Sequence, residues 1–237
     1  MGRLLSVARL VCRTKIYLIV VIMDDVVYNG MNVPIRGELM TRKKEFDVEQ
    51  ALAQATNIFW QQGYEKTSMQ DLVDTMNINR ASIYSTFGDK QSLFLLALSY
   101  YHEEVENQIF DRTQNVQSTQ QKIKNIFKVF IDHDDTQPKG CLIVNSATEL
   151  ADLNPQVKGI LKTYFASEKK YLLNILENAQ DELEESINLN NVAALLQNHL
   201  VGIRVLSKTG LSKSELNDLA VNIINTLPWK KEMEITL

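Results

Sequence analysis

Cysteine, proline and glycine are all scarce in this chain, and each shortage excludes something. Two cysteines, Cys12 and Cys141, cannot build a disulfide scaffold and suit a reducing, cytoplasmic compartment. Four prolines and nine glycines in 237 residues are too few for the tight turns of a barrel or sandwich, so a helix-rich fold is expected. The apolar run Ile16 to Met23 has eight residues, against the ~20 of a membrane-spanning helix, so no membrane partner is expected. A positive surplus is missing too: the net charge is −4 and the pI about 5.5. Any anion-binding surface must therefore be built locally. There is no Gly-x-Ser-x-Gly, phosphate loop, dinucleotide fingerprint or His-Glu-x-x-His, so neither an enzyme nor a cofactor is indicated.

Residues 1–40 differ from the rest, with five cations (Arg3, Arg9, Arg13, Lys15, Arg36) against three anions. They read as a leader or flexible N-terminal extension outside the fold, with Met40 as the natural first residue. Asp24-Asp25 stands where a cleavage site would want small residues, which argues against a signal peptide.

From Thr41 the apolar spacing is helical. Phe46, Ala51, Leu52, Ala55, Ile58 and Phe59 recur at three- and four-residue steps until Gly63. A short unit, Ser68 to Met76, is capped by Thr67 or Ser68, and Thr67 with Gln70 forms a capping-box pattern. A second short unit runs from Asn79 to Phe87, then Gly88, then Asp89 as cap of a long helix through Val105. Further helices are expected near Ile123–Ile131, from Gly140 to near Asp152, and from Asn154-Pro155 to about Asn178. The acidic stretch Asp181–Glu185 reads as a solvated connector. Val192, Leu195, Leu196, Ile203 and Leu206 form one stripe closed by Gly210. Ser212 to Glu215 is a capping box opening a last stripe through Leu227. About nine helices and no strand make an all-α fold.

Thr67 to Lys90 carries the chemistry. Two helices too short to be stable alone are joined by the break Asn77-Ile78-Asn79, the geometry of a helix-turn-helix. Ile78 can pin the pair, while Ile83 and Phe87 point to the core. That leaves Arg80, Ala81, Ser82, Tyr84, Ser85 and Thr86 for a major groove, with Asn79 as cap. Arg80 can read guanine or grip a phosphate, and Ala81 lets the backbone come close. Thr67, Ser68 and Lys90 lie at helix starts, where free N–H groups attract an anion.

Gly63-Tyr64, Thr67-Ser68, Asp71-Leu72, Ile83-Tyr84, Phe87 and Lys90, at these spacings, resemble the DNA-binding domain of the tetracycline-repressor (TetR/AcrR) family. The likeness covers roughly Lys44 to Leu98. It implies a three-helix DNA-binding domain at 41–98 and a helical effector-binding and dimerisation domain at 99–237. It further implies a homodimeric repressor on a palindromic double-stranded operator, with Tyr84 and Lys90 on phosphates and Arg80 to Ser82 among the bases. Asn77 departs from the glycine common there, but Asn tolerates a left-handed conformation. From Thr41 to Ser92, six Lys/Arg face seven Asp/Glu, so a few placed cations must suffice. The alternative is a helical ligand-binding protein or enzyme that does not bind DNA.

In the second domain, Lys139-Gly140-Cys141-Leu142 also resembles a subset of that family. A Cys opening a helix beside Lys139 has its negative form favoured by the dipole and the cation, which makes Cys141 a candidate sensor. The other reading is a buried small side chain. The small-molecule effector is expected to be partly apolar, with Asn145, Phe127, Phe130, Tyr164, Phe165 and His199 as candidate pocket residues. Each of these also reads as ordinary packing, His199 as a core histidine among Leu195, Leu196 and Ile203. His133-Asp134-Asp135 and His102-Glu103-Glu104 lack the spacing of a metal site, and none is expected.

Overall fold

The structure is a computed structural model that describes residues 46–132, 134 and 136–230. The expectation for residues 1–40 lies outside them, as do His133 and Asp135. Among the described residues there are nine α-helices and no extended strand. They are α1 Val48–Gln62, α2 Met69–Met76, α3 Arg80–Phe87, α4 Lys90–Thr113, α5 Thr119–Ile131, α6 Leu142–Leu150, α7 Pro155–Glu177, α8 Leu189–Leu206 and α9 Lys213–Asn225, with a short 3-10 turn at Gln180–Glu182.

Local chemistry sets most of the boundaries. Asp47, Asn79, Asp89, Asn154 and Ser212 accept backbone N–H groups at the starts of α1, α3, α4, α7 and α9. At α2 the cap is Ser68, not Thr67. Its hydroxyl accepts from Asp71 N (3.1 Å) and the Asp71 carboxylate accepts from Ser68 N (2.8 Å). Thr67 is buried instead, its hydroxyl donating to the Gly63 carbonyl at 2.6 Å. Asp71 gains a lowered pKa from these bonds to Ser68.

Two apolar clusters form the core. One joins α1–α3 and the first half of α4 to Cys141, α6 and the start of α7. The other joins the second half of α4, α5, the end of α7, α8 and α9. In the first, Phe59, Leu72, Ile83, Leu93 and Phe94 are almost wholly buried. Side chains of this kind contribute about 1.5–3 kcal/mol each. Helix α4 runs unbroken past residue 98, so the two halves share one rod.

The connector after α7 is more ordered than a solvated acidic stretch. Leu183 is buried and bridges to Trp229, Glu182 accepts from the Thr119 hydroxyl at 2.7 Å, and Lys230 N donates to the Glu182 carbonyl at 2.8 Å. Helix α8 ends at Leu206, earlier than Gly210 suggested.

Asn77 sits at φ 51°, in the left-handed region, between α2 and α3. Asn77→Gly is expected to leave stability within ~0.5 kcal/mol, whereas Asn77→Val should cost about 1–2 kcal/mol in urea denaturation, because a β-branched side chain resists that backbone.

Candidate nucleic-acid interface and the cavity behind it

Helix α3 presents two unlike faces. Ile83 and Phe87 are buried, as is Ile78 in the turn before them. Arg80, Ala81, Tyr84 and Ser85 are exposed, with Ser82 and Thr86 half-covered at the edges. Asn79 is exposed and accepts from Ser82 N at 2.8 Å, leaving its amide group free to face solvent. Tyr84 keeps 47% of its surface accessible, unusual for an aromatic in so small a helix and suited to a sugar–phosphate contact. Ser68 is exposed at the start of α2, whereas the side chain of Thr67 points into the core.

Lys90 is the first residue of α4, and its ammonium lies 4.3 Å from the centre of the Tyr64 ring. That contact fixes a long side chain without neutralising it. Tyr64 in turn stacks on Phe59 and meets the tilted ring of Phe94. Burial raises the Tyr64 pKa, with Glu65 and Asp89 adding to the effect.

A second element reaches this corner from behind. The Glu149 carboxylate, on α6, accepts from Tyr64 N at 3.1 Å and Glu65 N at 2.9 Å. These N–H groups stand just past the end of α1, where the helix no longer supplies partners. Gly63 makes the approach feasible: its φ is +85°, and a Cβ there would come within 2.8 Å of a Glu149 oxygen. Nothing in the local sequence announces Glu149, since its partners lie 84 and 85 residues away.

Cys141 begins α6 at its other end. It is 2% exposed and gives no capping bond. Burial pushes the Tyr101 pKa well up, and Cys141 pushes it further. Both residues line a cavity of about 320 Å³ enclosed by α4, α5, α6, α7 and α8. Its walls are mainly apolar and aromatic, including Ile109, Phe110, Ile126, Phe130, Phe165 and Leu172. On one wall Tyr164 stacks on His102 at 3.9 Å and meets the Ser99 hydroxyl at 3.0 Å. Burial raises the Tyr164 pKa.

Of the candidate pocket residues, Cys141, Phe130, Tyr164 and Phe165 line this cavity. Phe127 is fully buried packing in the second core cluster. Asn145 accepts instead from the Lys208 ammonium at 3.1 Å. His199 is neither core nor cavity: it is exposed on α8, with Nδ1 2.7 Å from the Leu195 carbonyl oxygen. The unforeseen cavity residues are Tyr101, Glu168 and Arg204. Arg204 had a signal, being the lone charge in the apolar stretch 200–206. It pairs with Glu168 and lies 3.8 Å from the centre of the Phe130 ring. Burial opposes its charge most strongly, but Glu168, Cys141 and Tyr101 together more than offset this, and its pKa is raised. Among the described residues no group of three metal-ligating side chains occurs, and no helix is long and apolar enough to cross a membrane.

The family model for bacterial regulatory proteins of the tetR family matches residues 51–97, and that for the tetracyclin repressor-like C-terminal domain matches residues 119–218. An uncharacterised HTH-type transcriptional regulator of Bacillus subtilis, YezE, is 31% identical over 188 residues, 76% of this chain and 95% of its own. The HTH-type transcriptional repressor ComR of Escherichia coli is 28% identical over 193 residues, 79% of this chain and 91% of its own. The fold is similar to that of a cysteine mutant of the TetR-family regulator CifR complexed with a 26-base-pair operator duplex. That likeness has TM-score 0.72 and 23% identity, and spans 79% of this chain and 100% of the other.

Removing the carboxylate that ties α6 to the end of α1 tests the geometry directly. Glu149→Ala is expected to cost about 1.5–3 kcal/mol in urea denaturation and to speed hydrogen exchange at Tyr64 and Glu65.

Proposed function

Because the chain belongs to the TetR family of transcriptional regulators, we propose that it acts as a homodimeric repressor, holding a palindromic operator until an effector releases it. The observation that carries this reading is the division of α3 between a buried brace, Ile83 and Phe87, and an outward polar face. A pair of short helices buried wholly in a helical core has no need of that face. As a regulator of transcription, the protein does not carry out catalysis, and the ligand-binding alternative without DNA gives way.

Residues 41–98 read DNA. Arg80 to Ser82 meet base edges, with Ser85 and Thr86 beside them. Tyr84, Lys90, Ser68 and the helix starts capped by Ser68 and Asn79 hold phosphates. The Thr67 side chain, sealed in the core, contributes by supporting the backbone there. Residues 99–237 bind the effector and the second subunit. Leu195, Val205 and Leu206 on α8 and Leu219 on α9 are exposed apolar side chains, and Leu195, His199, Gly202 and Leu206 share one helical face. Buried against a second copy, that face would place two α3 helices at half-sites related by a twofold axis. The place of action is the cytoplasm.

Release by a small molecule and release by modification of Cys141 converge on one place, because the thiol opens into the cavity. Either event acts on α6, whose other end holds the α1 corner through Glu149. The effector must favour a dimer whose recognition helices no longer match groove spacing.

Selection of bound fragments from random DNA, repeated after thiol-reactive treatment, tests the reading. Inverted repeats are expected, and failure to retain any duplex at low salt would end it. On the selected operator, Arg80→Ala should cost about 1–3 kcal/mol and relax base preference, while Lys90→Ala should weaken all sequences alike. The salt slope should be on the order of −4 to −8, as expected for a dimer with a handful of phosphate contacts.

A further inference from the structure

The polar end of the cavity has an unbalanced hydrogen-bond inventory. Glu168 has both oxygens engaged: one accepts from Arg204, the other from the Gln197 amide at 3.1 Å. Arg204 is only 3% exposed, and among the described residues its Nε–H finds no partner. What is left over is therefore a donor. A buried donor without a partner carries a desolvation penalty that a ligand acceptor would relieve. Charge narrows the choice. The Arg204 cation is already matched by Glu168, while Glu106, at the exposed rim, lies 3.5 Å from the His102 ring. A ligand anion would find the buried cation already neutralised. The remaining walls are flat and apolar, Phe130 across the guanidinium and the Tyr164–His102 stack opposite in sequence on α7 and α4. The volume, about 320 Å³, lies at the small end of the ~300–1,000 Å³ usual for such sites.

We infer that the effector is a neutral, flat, largely apolar molecule whose carbonyl-type oxygen accepts from Arg204 Nε. The inference rests on the reading of this cavity as the effector site. It excludes carboxylates and phosphates as well as plain hydrocarbons. Recognition is by one hydrogen bond at the end of an apolar slot, so discrimination comes from leaving that donor unpaired when the acceptor is absent.

Three matched probes separate the alternatives: 2-acetylnaphthalene, 2-ethylnaphthalene and 2-naphthoate, titrated calorimetrically into the full-length protein without DNA. The ketone does not alkylate thiols, so its binding is read apart from Cys141 chemistry. It is expected to bind at least about tenfold more tightly than the ethyl compound, the equivalent of about 1.4 kcal/mol, and more tightly than the carboxylate. Equal binding of ketone and hydrocarbon overturns the role of Arg204. Tighter binding of naphthoate overturns neutrality, and no binding of any probe overturns the ligand class. Glu168→Gln, with its fold checked by circular dichroism, should raise affinity for naphthoate at least about tenfold; no gain would show that Glu168 does not set the charge preference. If that variant fails to fold, the three titrations on the unaltered protein still decide. Since no duplex is present, a failed operator selection beside a positive titration sinks the regulator reading and not this one.

Discussion

Two backbone N–H groups and one carboxylate join the end of the first helix to α6. Helix α1 ends at Gln62, and the amides of Tyr64 and Glu65 lie beyond the reach of its own carbonyls. Glu149 supplies their acceptor from α6. Around that point the chain is fully specified: Gly63 leaves room, Thr67 closes the turn on the Gly63 carbonyl, and Ser68 starts α2 one residue later. The Tyr64 ring then carries the Lys90 ammonium. A change at α6 thus bears on the start of α2 and the start of α4 together, the two ends that flank α3.

The three-helix motif was legible because its determinants are local. Caps, the left-handed Asn77 and the braced pair Ile83 and Phe87 act within a turn or two, and sequence spacing records them. The one slip there was the partner of the capping box. Thr67 with Gln70 and Ser68 with Asp71 both satisfy the spacing, and burial of Thr67 in the core decided between them. The start of α7 at Pro155 and the box opening α9 were equally plain.

The cavity was legible only in part, for a different reason. Periodicity says which side of a helix is apolar, not what it meets. Phe127 and Phe130 lie three residues apart on α5 and both are buried in one core cluster, yet of the two Phe130 also lines the cavity. Leu195 belongs to an apolar stripe but is 54% exposed, which the pattern within one chain has no means to express. Pairings such as Glu168 with Arg204, 36 residues apart, depend on how α7 and α8 cross.

The bridge between Leu183 and Trp229 has a mechanical meaning. With Glu184 N donating to the Pro228 carbonyl at 3.1 Å and Lys230 N to the Glu182 carbonyl at 2.8 Å, the chain after α9 is sewn to the chain before α8. The Trp229 indole also donates to the Ile224 carbonyl at 2.7 Å, locking the last turn. The α8–α9 pair is therefore a closed hoop rather than a hairpin with a loose arm. The end of α9 is thereby tied to the connector that follows α7 and is not left to fray.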